Sequence, residues 1–239
     1  SDLANTPKPH CYGEVYNIEP VLVDSTNFVY QVHDGAIQAI DAVYQGGVAL
    51  TLTTDYTVDL TNGRFTLVAA PTGIITADVR GSKPGGTYLE TVGDIIQHIV
   101  EDHAGFTYPG DFDTASFTAL NSANSSTVGV YDRDMTTVAN VLDRLINTIG
   151  GFYGFDRDGK FQVGQVSLAT GSADAEFDKT TIIEITRQAS AVPNYQVRMD
   201  YKKNYRVMSE SDFDASITSA QRDYLVREAD VAIAEDTAV

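Results

Sequence analysis

The string "FYGFDRDGKFQVG", residues 152–164, looks at first like the start of a calcium loop: Asp156 and Asp158, closed by Gly159. A helix-loop-helix calcium site needs carboxylates at its first, third and fifth positions, a glycine at the sixth and a bidentate glutamate at the twelfth. Setting Gly159 at the sixth puts Asp156 and Asp158 at the third and fifth, but leaves Gly154 at the first and Gln165 at the twelfth. The flanking Phe152, Tyr153, Phe155, Phe161 and Val163 favour strands over helices. The stretch therefore reads as a β-hairpin whose loop is Arg157-Asp158-Gly159. Asp156 opens a type I turn, Gly159 takes the left-handed position, and Phe155 pairs with Phe161 and Tyr153 with Val163.

Other chemistry-bearing residues give weaker patterns. His98 and His103 bracket "HIVEDH", with Glu101 and Asp102 as further ligands. Zinc-protease histidines stand four residues apart, whereas a five-residue step on a helix turns the second imidazole about 140° from the first, so a polar helix shoulder is expected here. His10 and His33 fall in β-rich text without a paired carboxylate or cysteine spacing, which predicts solvent or turn roles. Cys11 is the one cysteine, so no internal disulfide can form, and a buried structural thiol is expected. On a strand, His10 points to the opposite face from Cys11 and cannot act as its base.

Carboxylates recur in pairs: Asp111 with Asp113, Asp132 with Asp134, and Asp212 with Asp214. Glycoside hydrolysis needs two carboxyls set across a cleft. These pairs stand before expected helix starts, where Asp satisfies free amides, so Asp113 and Asp134 read as caps. No nucleophile elbow, phosphate loop, dinucleotide fingerprint or paired-cysteine motif occurs, and no catalytic residue, metal ligand or cofactor site is assigned.

The elements that would position these residues fall into two parts. Residues 9–82 read as short strands that close on Gly, Asn-Gly or Asp-Gly: "CYGEVYNI", "NFVYQVHDG", "IQAIDAVYQGG", "VALTLTT", "DYTVDLTNG", "RFTLVAAPTG" and "IITADVRG". Asn62-Gly63 and the "PTG" at residues 71–73 are hairpin signals. An antiparallel β sandwich or small barrel is expected. "SKPGGT" then acts as a hinge. From residue 88 the period changes.

Val92, Ile95, Ile96, Ile99 and Val100 mark an amphipathic helix over 91–104, capped by Thr91 and ending near Gly105. A shorter helix starts at Asp113 and carries Phe117 and Leu120, and "STVGVYD" is a strand. Asp134 is expected to cap a helix bearing Met135, Val138, Val141, Leu142, Leu145, Ile146 and Ile149, stopped by Gly150-Gly151. Strands near 180–187 and 195–208 follow the hairpin, then a helix over about 217–233. Residues 88–239 thus form an α+β domain, with helices packed on an antiparallel sheet.

The chain has 239 residues, 43% hydrophobic and 21% charged, which is ordinary globular composition with room for a proper core. It opens at Ser1 and closes on "AIAEDTAV", and reads as part of a longer polypeptide. No run of about 18 apolar residues predicts a membrane span. A net charge of -17 disfavours sequence-specific nucleic-acid binding. Arg198, Lys202, Lys203 and Arg206 form the one basic cluster. On a strand, Arg198, Asp200, Lys202, Asn204 and Arg206 share one face, read as solvated in preference to a nucleic-acid groove, with a salt-bridging surface for an acidic neighbour as the middle option.

The order of elements in "VYDRDMTTVANVLDRLINTIGGFYGFDRDGKFQVGQV" resembles a segment of hub and tail-tip proteins from long-tailed bacteriophages. "YQVRMDYKKNYRVM" and "ITSAQRDYLVRE" resemble the next segment of such proteins. "CYGEVYNIEPVLVDSTNFVYQVHDG" and "DYTVDLTNGRFTLVAAPTGIITADVRG" are similar in style to structural proteins of the same tail region. The resemblance implies a phage or prophage virion protein of the baseplate hub or tail tip. It would be made in the bacterial host cytoplasm and assembled in the tail as an oligomer, typically a trimeric ring, beside tube, spike or receptor-binding components. Receptor recognition is not carried over, since no spike or carbohydrate site is recognisable. Two other classes remain open. One is a carbohydrate or cell-surface binding module using tyrosines such as Tyr12, Tyr16, Tyr30, Tyr44 and Tyr56; the other is a cell-wall hydrolase depending on His98 or Glu101.

Overall fold

A computed structural model describes residues 7–166 and 196–235, together with residues 180 and 184. Among them, strands β1 (His10–Ile18), β2 (Val21–Asp24), β3 (Val29–Gln31), β4 (Ile37–Gln45), β5 (Val48–Ala49), β6 (Tyr56–Asp59), β7 (Arg64–Leu67), β8 (Ile75–Ser82) and β9 (Gly129–Asp132) make two antiparallel sheets. One runs β5-β4-β8-β1-β9 and the other β2-β3-β7-β6. Both turn alternate residues into one core. Val15, Ile18, Val43, Ala77 and Val79 come from the first sheet, and Tyr30, Tyr56, Phe65 and Leu67 from the second. Of the two architectures expected here, this is the sandwich; neither sheet closes into a barrel.

Two irregularities keep the alternation in phase. The register of β1 against β8 shifts between Val15 and Ile18, with Asn17 at φ 49°, so Ile18 reaches the core in place of Asn17. A shift in β4 between Ile40 and Ala42 likewise brings Val43 inward.

The Asn62-Gly63 turn joins β6 to β7 as expected, with Gly63 at φ 61° and the Asp59 carboxylate accepting from Asn62. The expected "PTG" hairpin is not one, because β7 and β8 lie in different sheets and the segment carries the chain between layers. "VALTLTT" yields only Val48–Ala49 as strand. Its remainder closes a turn in which the amide of Thr51 donates to the Asp55 carboxylate and the amide of Asp55 donates to the Thr51 carbonyl.

The helical half contains α1 (Val92–Ala104), α2 (Thr114–Ala123) and α3 (Val138–Asn147), and the hairpin of β10 (Gly151–Phe155) and β11 (Phe161–Gln165). Val92, Ile95, Ile96, Ile99 and Val100 of α1 are all buried, packed with Phe117 and Leu120 of α2, Leu142, Leu145 and Ile146 of α3, and Phe161 and Val163 of β11. Thr91 caps α1 by accepting from the amide of Asp94, and Gly105 ends the helix at φ 75°. Asp113 caps α2 as expected. Asp134 does not cap α3. Thr137 does, its hydroxyl accepting from the amide of Asn140, because it stands directly before the buried run while β-branched Thr136 and Thr137 resist helical backbone. Met135 consequently lies outside the helix and is 89% exposed.

At the carboxyl end, β12 (Gln196–Tyr201) pairs with β13 (Asp230–Glu235), and α4 (Ser219–Leu225) lies between them. The strand expected to continue to residue 208 stops at Tyr201, where Lys202 takes a positive φ of 49°. The helix expected over 217–233 ends at Leu225. There the side-chain amide of Asn204 donates to the carbonyls of Leu225 and Arg227, satisfying groups that a longer helix would have used. Of the strand expected near 180–187 only residues 180 and 184 are described, neither of them in a strand, and the rest lies outside the described residues. No helix among the described residues is long and apolar enough to cross a membrane.

Strand β1 belongs to both halves. Cys11 and Val15 face the sandwich core, whereas Tyr12 enters the helical core beside Val130. Strand β9, which comes after α2 in sequence, pairs with β1 from Gly13↔Gly129 to His10↔Asp132. The backbones approach so closely that a Cβ on Gly13 would lie 1.7 Å from the Val128 carbonyl oxygen, and one on Gly129 would lie 1.9 Å from that of Glu14. Gly129→Ala should therefore lower unfolding free energy by about 3 kcal/mol or more, measured by urea denaturation. Gly154→Ala, where a Cβ meets nothing within 4 Å, should cost under about 1 kcal/mol.

Candidate functional site

All four histidines of the sequence meet at the junction of the two cores. His10 and Tyr12 sit two apart on β1 and project to the same side, their rings stacked at 6.3 Å. His33 arrives from the segment after β3, and His98 and His103 from the last turns of α1. His10 stands 4.9 Å from His103 and 5.9 Å from His33, while Tyr12 stands 5.7 Å from His33 and 5.9 Å from His98. The Tyr12 hydroxyl lies 3.3 Å from His103 Nε2. Both histidines of α1 thus reach Tyr12, His98 by its ring and His103 by its Nε2.

His33 is the structural centre of this cluster, at 5% exposure. Its Nδ1 accepts a 3.1 Å hydrogen bond from the amide of Cys11, which leaves the ring proton of the neutral form on Nε2. Burial, reinforced by neighbouring His10, pulls its pKa down to about 4. Burial also lowers His10, with His103 adding to the effect, and lowers His98 against the opposing pull of Asp102 and Glu101. Solvent and turn roles for His10 and His33 are thus overturned, because His33 is buried with its Nδ1 bonded to the Cys11 amide and the Nδ1 of half-buried His10 is shut from solvent beside His33 and His103. Sequence spacing alone carried no signal for this, since residues 10, 33 and 98 meet only through tertiary folding.

The cluster does not make a metal centre: no group of three or more His, Cys, Asp or Glu among the described residues is arranged to hold an ion. His33 shows one reason, since its Nδ1 lone pair is engaged by a backbone amide. The remaining candidates are also accounted for by local structure. Asp156 accepts from the amides of Asp158 and Lys160, Gly159 sits at φ 77°, and Phe155↔Phe161 and Tyr153↔Val163 pair as the hairpin reading requires. Glu101 accepts from the amide of Tyr108 and from Gln97, holding the turn after α1.

Asp111 accepts from the amide of Thr107, Asp132 pairs with Arg144 at 2.6 Å, Asp212 accepts from Ser209, and Asp214 accepts from Ser216. Tyr12, Tyr30 and Tyr56 are buried, and the Tyr44 hydroxyl donates to Asp78. These tyrosines do not form an exposed sugar platform.

The basic cluster divides. The side chain of Arg198 lies outside the described residues. Lys202 is exposed, Lys203 stands 4.7 Å over the Tyr205 ring, and Arg206 pairs with Glu19 at 3.0 Å. Arg133 holds the same Glu19 at 2.9 Å. A cleft of about 260 Å³ opens here, lined by Glu19, Tyr131, Asp132, Arg133, Asp134 and Tyr205 among others. Glu19 meets both arginine charges, so Arg206 of the cluster serves as a salt bridge between distant segments of one chain.

No family model matches the chain, and neither the curated proteins nor the solved structures include a significant match.

Cys11 lies fully buried, facing the sandwich core and turned away from His10, and burial raises its pKa far above that of a free thiol. The folded chain should resist a maleimide at neutral pH for hours. One thiol per chain should label within minutes in urea, read by intact mass.

Proposed function

We propose that the chain is a virion structural protein, part of a phage or prophage tail hub or tail tip that acts through subunit assembly. The observation that carries this reading is the hairpin β10–β11. Among the described residues β10 pairs with β11 alone, and no described strand occupies its other edge. Phe152 and Phe155 stand 50% and 58% exposed on it. The hairpin is also rigidly backed: Phe161 and Val163 enter the helical core, and Phe155 stacks on Phe106 at 5.9 Å. Such an edge with half-exposed aromatics on a firm base suits docking.

Two further features support the same reading. Of the tyrosines that a sugar site would need, Tyr12, Tyr30 and Tyr56 are buried and Tyr44 is bonded to Asp78, and Glu101, which a hydrolase would need free, caps a turn. The net charge of -17 suits a surface along which DNA slides without adhering. In this reading the partners are further copies of the chain, arranged as a ring, and neighbouring tail proteins of the tube, spike or receptor-binding parts. The site of action is the virion tail.

The test is the mass of the full chain by size-exclusion chromatography with light scattering, alone and after co-expression with the proteins encoded beside it. A ring-sized or mixed assembly is expected. Phe152→Glu with Phe155→Glu should weaken that assembly about tenfold or more while leaving the circular dichroism spectrum unchanged. A single-chain mass under every condition would overturn the proposal.

A further inference from the structure

We propose that the four histidines form an acid-operated latch, which closes the end of helix α1 and the 32–35 segment onto strand β1 at neutral pH and releases them in mild acid. The latch is independent of the tail reading and rests on geometry. Three segments meet at one point, and each contributes imidazole to it: β1 gives His10, the β3–β4 connection His33, and α1 His98 and His103.

The contact is built for neutral rings. Protonating His33 places a hydrogen on Nδ1, where the Cys11 amide already donates, so that bond is lost and two donors face each other. The Nδ1 of His10 is buried with no hydrogen-bond partner, so a proton there finds no acceptor. Charging both His10 and His103 sets like charges on rings 4.9 Å apart.

The carboxylates around the cluster oppose this only in part. Asp34, beside His33, is held by Lys8 at 2.7 Å, and Asp132, opposite His10 on β9, is held by Arg144 of α3 at 2.6 Å. Glu101 faces the amide of Tyr108. Asp102, 3.5 Å from His103, pulls against burial at His98, with Glu101, and at His10 and His33, but burial outweighs it at all three. Tyr12 and Cys11, the remaining titratable groups in contact, stay neutral throughout because burial raises both.

His10, His33 and His98 lie below 6.5 in the folded chain, so opening takes up protons. The closed state is therefore complete above pH 6.5 and weakens as pH falls from there toward about 4. Release is local. The first turns of α1 stay fixed by Val92, Ile95 and Ile96 in a core whose titratable members among the described residues are Tyr12 and Tyr153, both raised above the ordinary tyrosine value.

Hydrogen exchange of the full chain at about pH 7.5 and about pH 5, corrected for intrinsic rates, tests the latch. Peptides from residues 8–16, 30–36 and 96–105 should lose protection about tenfold at the lower pH, while β8 and α3 hold theirs. His33→Asn retains an acceptor for the Cys11 amide and cannot titrate. Combined with His10→Gln, it should keep those peptides protected at both values.

Unchanged protection in the wild-type chain, an equal loss across every element, or a double variant that opens like wild type would each overturn the proposal. Should the double variant fail to fold, imidazole NMR titration of the wild-type chain decides. His10 and His33 should titrate below their values in the urea-unfolded chain, and equality of the two sets would refute the latch.

Discussion

Strand β1 can serve two cores because only hydrogen stands on the α-carbons of Gly13 and Gly129. A side chain at either place would collide with the opposite backbone, so the β1–β9 crossing exists only as a glycine pair. The remaining architecture depends on that crossing. Pairing β9 with β1 brings Tyr131 onto the sandwich core and Val130 onto the helical core, one residue to each side. It draws α1 against the same strand, and the end of α1 carries His98 and His103 to His10 and Tyr12. Without this close approach, the helices would retain their apolar faces but lose the strand that tells them where to sit.

Much of this architecture was legible in the residues themselves. Helix α1 was readable because five apolar residues recur at helical spacing between a threonine cap and a glycine stop, and local physics decides such a segment. The hairpin at Asp156–Gly159 was readable for the same reason: turn chemistry and cross-strand pairing agree. The errors fall where a remote partner overrides a local signal. Asn204, far along the chain, takes the carbonyls of Leu225 and Arg227 and cuts short a helix that its own sequence favoured. Gln45 reaches across to Thr72, anchoring as a connection between layers what looked like a hairpin turn. The histidine cluster is the extreme case, since its members lie on three segments and each, read alone, is bland.

Cations are scarce in this chain, and their positions are informative. Arg133 and Arg206 converge on Glu19, Arg144 reaches Asp132, and Arg80 reaches Asp41. The Glu19 and Asp41 contacts join segments far apart in sequence, whereas Arg144 ties α3 back to the strand just before it. Exposed pairs of this kind contribute little individually, about 0–1 kcal/mol, and are weakened by salt. Their role is better described as registration. With acidic side chains in twofold excess, the paired arginines hold particular segments against one another.

The Asn17–Asn204 contact has a mechanical consequence. Asn17 donates through its side chain to Asn204 and to the Arg206 carbonyl, and through its backbone to Asp78, which also accepts from Tyr44. Strands β12 and β13 form a two-stranded ribbon whose base emerges just beside Asn204. Tension on the ribbon would thus arrive first at one amide pair and then spread sideways into the middle of the five-stranded sheet through β1 and β8. Several ladder bonds would bear the load together in shear, so the ribbon is tethered as a handle is to a plate and would not peel away as a zipper does.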